Sequence, residues 1–110
     1  MATDKTFIEF IFDQLNDSDN ISYKKMFGEY GIYYKGKIVA LACDNQLFIK
    51  PTEKGKNYIG NPEESPPYPG AKPCFLITDK IEEPEWLYEL ILITYKELPE
   101  PVKKKKKVKS

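Results

Sequence analysis

Histidine and arginine are both absent from this chain of 110 residues, so all 17 of its basic side chains are lysines. Without histidine, the sequence lacks the commonest general base near neutral pH and the commonest metal ligand. Catalytic triads, Cys–His pairs and histidine-based zinc sites are therefore excluded. Without arginine, bidentate clamps on phosphate, carboxylate or guanine are excluded as well, since lysine supplies only a point charge. We expect no catalytic site, cofactor or metal centre of these kinds.

Long hydrophobic runs and closely spaced cysteines are also missing. The longest apolar run, residues 38–43, is far shorter than the ~20 residues that span a bilayer. The first residues lack the basic and apolar regions of a secretory signal, which predicts a cytoplasmic protein with no membrane partner. Cys43 and Cys74 lie far apart in strand-like contexts, typical of buried thiols in a reducing compartment. A disulfide or a reactive thiol is the alternative.

The formal net charge is zero, but this value is the sum of two regions with opposite net charges. The last ten residues hold six lysines and no acid, which leaves eleven lysines against 17 acidic residues in residues 1–100, a net charge of about −6. We therefore predict one domain over residues 1–100 and a disordered lysine-rich tail over 101–110. The candidate nucleic-acid arm in this tail comprises Lys103, Lys104, Lys105, Lys106, Lys107 and Lys109. Alternatively, the tail only aids solubility or contacts the acidic domain.

Hydrophobic periodicity divides the first hundred residues into helices and strands. Apolar residues recur at helical spacing after a cap at Thr3 or Asp4, whereas from Gly28 the period is two. The pattern predicts, in order, a helix to Leu15, strands over 30–35, 38–43 and 46–50, a short helix from Thr52 to Gly60, a strand over 74–78 and a helix from Pro84 to Leu98. Tight turns are predicted at residues 35–37 and 44–45. This order favours an α+β domain in which helices pack on one face of an antiparallel sheet.

Five prolines fall within residues 61–73, a density that excludes a regular helix or a central strand. We predict a long, stiff loop there, with at most a short edge pairing, and expect it to fold Tyr68 over the core. Gly31 lies inside a predicted strand rather than between a strand and a helix. It is therefore predicted to let an aromatic side chain from a neighbouring element lie against the strand, not to bind phosphate.

Tyrosines and lysines alternate along residues 23–37, a mixture that can stack bases and neutralise phosphates on a sheet face. A half-buried strand with packed tyrosine rings and wet hydroxyls requires the same pattern. The acidic character of the domain opposes a polyanion at this strand, and both interpretations stay open.

Residues 23–50 resemble the opening of the TfoX/Sxy N-terminal domain family. That family shows basic residues before Met-Phe-Gly, a tyrosine-rich strand, a glycine turn and a strand of the form Asp-x-x-Leu-Phe-x-Lys. The matching positions are Lys24, Lys25, Met26, Phe27, Gly28, Gly31, Tyr33, Gly36, Asp44, Leu47, Phe48 and Lys50. The proline-rich segment and the helix of Trp86 are similar to those of single-domain members, so the resemblance covers about residues 4–98.

The resemblance implies an α-β-β-β-α-β-β-α sandwich of the secretion-chaperone-like type, with one further strand within 64–72. The family is linked to competence-gene transcription, acting with the cyclic-AMP receptor protein, and not to catalysis. We therefore expect a non-enzymatic regulatory or interaction domain whose partner belongs to the transcription machinery. The candidate interaction surface comprises Lys24, Lys25, Phe27, Gly28 and Tyr30. The alternatives are a passive domain carrying the nucleic-acid arm, and a ligand-binding or enzymatic domain using lysine and tyrosine; the oligomeric state is open.

Overall fold

The structure, a computed structural model, describes residues 3–26 and 28–98. Its elements are helix α1 (Lys5–Leu15), strands β1 (Ile21–Met26), β2 (Glu29–Tyr34), β3 (Lys37–Cys43) and β4 (Gln46–Ile49), helix α2 (Glu53–Ile59), strands β5 (Glu63–Ser65) and β6 (Cys74–Ile77), a 3-10 turn (Asp79–Glu82) and helix α3 (Pro84–Glu97). The strands form one antiparallel sheet in the order β1-β2-β3-β4-β6-β5. The predicted α+β class is confirmed. The predicted tail, 101–110, lies outside the described residues.

Two strands differ from the sequence-based order. β1 pairs with β2 along its whole length, although we predicted no strand before residue 30. The adjacent residues Lys24 and Lys25 interrupt the apolar alternation by which a strand is recognised. They are tolerated because β1 is an edge strand, which has a neighbouring strand on one side only. The strand that the resemblance placed within 64–72 begins at Glu63 and pairs with β6 as a short edge strand.

Two tight turns connect the central strands, as predicted. Lys35 and Gly36 have φ angles of 50° and 85°, and Asp44 and Asn45 have φ angles of 53° and 57°. Consecutive left-handed residues form the turn type that matches the right-handed twist of paired strands. The turns therefore set the register of β3 with β4 and the start of the register of β2 with β3, which shifts by one residue at an irregularity between Ile32 and Tyr33.

All three helices pack on one side of the sheet, which we call the helix face. Its fully buried side chains come from α1, the strands and α3, and include Ile8, Ile11, Ile32, Val39, Ile49, Leu87, Leu90 and Ile91. The opposite side, which we call the open face, carries a separate apolar cluster of Leu41, Cys43, Phe48 and Cys74, with Met26, Ile38 and Leu76 against it. No described helix covers the open face, yet the side chains of this second cluster are buried, with Leu41 8% and Phe48 3% exposed.

A buried lysine ties the end of α3 to the sheet. The Nζ atom of Lys37 donates hydrogen bonds to the carbonyl oxygens of Tyr95 at 3.0 Å and Leu98 at 2.8 Å. It also lies 4.5 Å from the centre of the Tyr95 ring. A cation at these carbonyls complements the negative end of the helix dipole. Lys37 thus stabilises the last turn of α3, a role that the sequence did not indicate.

The Tyr88 hydroxyl donates a short hydrogen bond to Asp17 Oδ2, which joins α3 to the turn after α1. This bond, together with one from Asn20, lowers the pKa of the Asp17 carboxyl, and the same contact with Asp17 raises the pKa of Tyr88. The lowered pKa adds stability above the ordinary pKa of Asp17, and this is lost as the pH falls through the folded-state value. The raised pKa adds stability that is present below the ordinary pKa of tyrosine and is lost in alkali.

Replacing Tyr88 by phenylalanine is therefore expected to lower the free energy of unfolding by about 1 kcal/mol at pH 7. The difference between wild type and variant should shrink as the pH falls through the folded-state pKa of Asp17, because a protonated carboxyl is a weaker acceptor for the Tyr88 hydroxyl. Urea denaturation at pH 7 and at successively lower pH measures it. Tyr95→Phe, which removes a hydroxyl that forms no hydrogen bond within the described residues, is the control. A difference that stays constant down to the pH at which Asp17 is protonated in the folded protein would contradict the assignment.

Candidate functional site

The open face of the sheet holds a groove with a volume of about 910 Å³. Leu41 and Phe48 form its floor, on β3 and β4, while Met26 and Ile38 line one side. The proline-rich residues 66–69 form the other side. A groove of this size with an apolar lining is typical of sites that bind a small molecule or a peptide segment.

Because Gly31 has no side chain, Met26 of β1 can pack over β2 and form one wall of this groove. A Cβ atom at this position would lie 3.0 Å from Met26 Cε, 3.2 Å from Ile38 Cδ1 and 3.3 Å from Tyr33 Cε1. The Tyr33 hydroxyl also donates to Met26 Sδ at 3.8 Å. Side chains from the neighbouring strands therefore lie against Gly31, but they are those of Met26 and Ile38 and not the aromatic residue that we predicted. This close packing shapes the groove wall.

One acidic side chain at the rim is held by structural hydrogen bonds. Glu29 Oε1 accepts from Thr3 Oγ1 at 2.5 Å and from the Asp44 backbone N–H at 3.0 Å. Thr3 Oγ1 also lies 3.1 Å from the Ala42 carbonyl and accepts from the Asn45 N–H at 3.3 Å. These contacts join the N-terminal segment to the turns at one end of the sheet. The Glu29 carboxylate is thus used to hold the rim together.

The two thiols next to the groove are inert. Cys43 and Cys74 are free and buried, as predicted, and Cys43 lines the groove. Burial raises the pKa of Cys43 to about 11, and burial likewise raises the pKa of Cys74. Because the thiolate is the reactive form, both side chains behave as small apolar groups near neutral pH.

The structure separates the residues of the predicted interaction surface. Lys24 and Lys25 are exposed on β1 and, by strand alternation, project to the open face and the helix face respectively. Gly28 lies in the turn before β2 at a φ of 85°, where its carbonyl accepts from the Thr3 N–H at 3.0 Å. Phe27 lies outside the described residues.

Tyr30 does not belong to the interaction surface, contrary to our prediction. Its side chain is only 7% exposed and belongs to the core of the helix face. Its ring packs against that of Tyr23 at 5.7 Å, and Tyr23 in turn packs against Phe12 of α1 at 5.2 Å. The half-buried-strand interpretation of this alternating pattern is therefore correct for Tyr23 and Tyr30, whose rings cannot stack on a base.

Sequence reasoning missed Tyr68 as a candidate functional residue. We expected the proline-rich loop to fold it over the core, but its side chain is 54% exposed and lines the groove. The other large exposed apolar side chain among the described residues is Phe10 on α1. The density of prolines around Tyr68 could have indicated this role, because a stiff loop holds an exposed ring in place at a low entropy cost.

A family model for the TfoX N-terminal domain matches residues 13–98 of the 110-residue chain. The chain belongs to the TfoX N-terminal domain family. The resemblance seen in the sequence is thereby confirmed, and the groove lies entirely within the matched part of this TfoX N-terminal domain. The chain is also 38% identical to the uncharacterised 12.7 kDa protein in the trpE 5′ region of Spirochaeta aurantia, over all of this chain and 96% of the relative.

The described part of this TfoX N-terminal domain contains neither a helix that could cross a membrane nor a group of side chains that could hold a metal ion. None of the helices in residues 3–26 and 28–98 combines the length and apolar character needed to cross a membrane. Over the same residues, no three acidic or cysteine side chains are grouped so that they could hold a metal ion. The six lysines of the candidate nucleic-acid arm lie outside this part of the chain.

Proposed function

We propose that this protein is a non-enzymatic cytoplasmic interaction domain that acts in transcription regulation and binds a protein partner through the groove on the open face. Membership of the TfoX N-terminal domain family supports a regulatory role. The observation that carries the proposal is the apolar groove between Met26, Ile38 and the proline-rich loop. Its floor is largely buried, and the exposed apolar side chain at its wall is that of Tyr68, which is 54% exposed and can supply binding free energy when a partner covers it.

Two of the polar groups that line the groove are unsuited to catalysis. The thiol of Cys43 is protonated near neutral pH, and the Glu29 carboxylate accepts two structural hydrogen bonds. Neither group is therefore available as a nucleophile or a general base. Apart from Asp44, Gln46 and Lys50, the remaining lining is apolar or aromatic, and it includes Tyr68, a residue type that is enriched among the energetically dominant positions of protein interfaces.

The test compares two exposed aromatic residues. A strain that lacks the gene is complemented with wild type, Tyr68→Ala or Phe10→Ala, and all transcripts are quantified. Tyr68 lines the groove, whereas Phe10 lies on α1 and is 40% exposed. We expect wild type and Phe10→Ala to restore the transcript profile and Tyr68→Ala to fail, because truncating an interface aromatic commonly costs roughly 2 kcal/mol or more of binding.

Both substitutions remove an exposed ring, so thermal unfolding should confirm that each variant is folded. Equal complementation by Tyr68→Ala and Phe10→Ala would contradict a role for the groove. An unchanged profile after gene deletion would contradict the role in transcription. A variant that lacks residues 103–110 serves as a further comparison, because the lysine-rich arm remains a separate candidate for nucleic-acid contact.

A further inference from the structure

The two edges of the sheet are unequal. β1 forms one edge with six residues, Ile21–Met26, whereas β5 forms the other with three, Glu63–Ser65. Prolines at positions 62 and 66 flank β5 and stop its pairing, which is a common way to blunt an edge. No proline interrupts β1, and its lysines deter strands without a complementary charge, so the longer edge is suited to receive an acidic strand.

The register shows which backbone groups of β1 face away from the sheet. The Lys35 N–H donates to the Asn20 carbonyl at 2.7 Å, so even-numbered residues of this strand direct their backbone groups to β2. Tyr23 and Lys25 therefore direct N–H and C=O outward. Ile21 also faces outward, but its N–H already donates to the Asp17 carbonyl at 2.8 Å. Two residues thus offer four backbone groups to an added strand.

The side chains of β1 specify the chemistry of that strand. Lys24 and Lys25 are exposed, and neither forms an ion pair with another described residue. Because they project to opposite faces, each would face a different residue of an added strand, and those two residues are consecutive. Tyr23 and Met26 on either side are partly buried and apolar. A partner strand that complements β1 therefore has two consecutive acidic residues between two apolar residues. This order is the same whether the partner strand runs parallel or antiparallel to β1.

A second copy of β1 does not satisfy this pattern. Antiparallel pairing of β1 with itself about Lys24 or Lys25 places the same lysine of the two copies directly opposite, and like charges in that position are destabilising. Pairing about Tyr23 instead places the two lysines opposite Ser22 and Ile21, which carry no acidic group. The acidic edge of β5 has the right charge in Glu63 and Glu64 but is limited to three residues by its flanking prolines. The charge of β1 therefore favours a longer acidic strand from another protein.

We infer that the free edge of β1 binds an extended partner segment that carries two consecutive acidic residues between apolar residues, as a seventh strand of the sheet. This inference rests on the proposed function and names the chemistry of the partner. Backbone hydrogen bonds at Tyr23 and Lys25 hold the segment, and the two lysines select its charge. The apolar residue beside Met26 lies next to the groove, so one partner can occupy both surfaces.

The experiment uses the full chain and two synthetic ten-residue peptides, Ser-Thr-Ser-Val-Glu-Glu-Val-Thr-Ser-Thr and its Lys-Lys counterpart. Amide hydrogen exchange, followed by NMR, is measured at Tyr23 and Lys25 with each peptide. We expect the Glu-Glu peptide to slow exchange of both amides by about tenfold or more, since their hydrogen bonds are then protected. The Lys-Lys peptide should leave them unchanged. Binding of the acidic peptide to the lysine-rich tail would not slow exchange of these two amides, so the measurement distinguishes binding at β1 from binding at the tail.

Charge reversal provides the matched test. The K24E/K25E variant should lose about tenfold in affinity for the Glu-Glu peptide and should bind the Lys-Lys peptide instead. K54E/K56E makes the same change in net charge on exposed lysines of α2 and should retain the wild-type preference. Absence of protection at Tyr23 and Lys25, equal binding of both peptides, or concentration-dependent self-association that K24E/K25E abolishes would each overturn the inference.

The two proposals can fail separately. If the peptides fail but Tyr68→Ala abolishes complementation, the groove keeps its role and the acidic-strand partner is wrong. If the Glu-Glu peptide binds β1 but gene deletion leaves transcripts unchanged, the partner chemistry holds and the role in transcription is wrong.

Discussion

Replacing Lys37 by methionine is expected to lower the free energy of unfolding by about 3 kcal/mol. Methionine keeps the apolar stem but removes the cation, so the carbonyls of Tyr95 and Leu98 lose charge-assisted hydrogen bonds of 3.0 Å and 2.8 Å. The Tyr95 ring loses a cation 4.5 Å from its centre, and the end of α3 loses a charge that complements its dipole. Because Lys37 is only 7% exposed, water cannot freely replace these contacts.

Lys35→Met is the matched control for this substitution. Lys35 lies two residues earlier, is exposed, and is 5.8 Å from the centre of the Tyr34 ring. We expect it to change the free energy of unfolding by less than about 0.5 kcal/mol. Chemical denaturation measures both variants, and amide exchange at the end of α3 should accelerate only in Lys37→Met. A buried charge can cost as much to desolvate as its contacts return. Equal denaturation midpoints for Lys37→Met and wild type would show that cancellation and contradict the prediction.

The Gly55→Ala substitution in α2 is expected to destabilise the protein by about 1–2 kcal/mol, although helix propensity alone favours alanine by about 1 kcal/mol. Gly55 is buried, and its N–H donates to Oγ1 of the N-cap residue Thr52 at 3.0 Å. A Cβ atom would lie 2.6 Å from that Oγ1 and 3.6 Å from atoms of Leu90 and Phe75. The contacts with Leu90 and Phe75 are of ordinary van der Waals length, so the conflict is with the cap, and the new methyl group has to displace the Thr52 hydroxyl.

A double-mutant cycle isolates this effect. In a Thr52→Ala background the obstructing Oγ1 is gone, so Gly55→Ala should cost less than about 0.5 kcal/mol or stabilise α2. The four proteins are compared by urea denaturation. A gain in stability for Gly55→Ala in the wild-type background would contradict the geometry at the cap.

The sequence predicted those parts of the fold that depend on local chemistry. The cap at Thr52, the end of α2 at Gly60 and the turn at Asp44 are confirmed because each depends on one or two residues with specific backbone preferences. The first helix begins where expected, but its N-cap Asp4 makes no side-chain capping bond. The Thr3 hydroxyl lies instead beside Glu29, a contact across 26 residues. Local patterns do not contain that information.

The candidate site was harder to predict because its parts are distant in the chain. The groove brings Met26 on β1 to the same site as Phe48 on β4 and Tyr68 in the proline-rich loop. Periodicity shows that β3 is apolar on both faces, but it does not show that, within residues 3–26 and 28–98, helices pack against only one of them. Lys37 was predicted only as part of a turn, since its two carbonyl partners lie about sixty residues further along.

The attachment of Thr3 at the groove rim determines where the protein can be modified. Thr3 is buried, donates its backbone N–H to the Gly28 carbonyl at 3.0 Å, and shares the Glu29 carboxylate with the turn at Asp44. A purification tag or reporter joined in front of this residue emerges beside the same rim. Its linker would then compete with a partner for the groove and hide the activity being assayed. Immobilisation and fluorescent labelling are better placed on the exposed surface of α2, for example at Lys56.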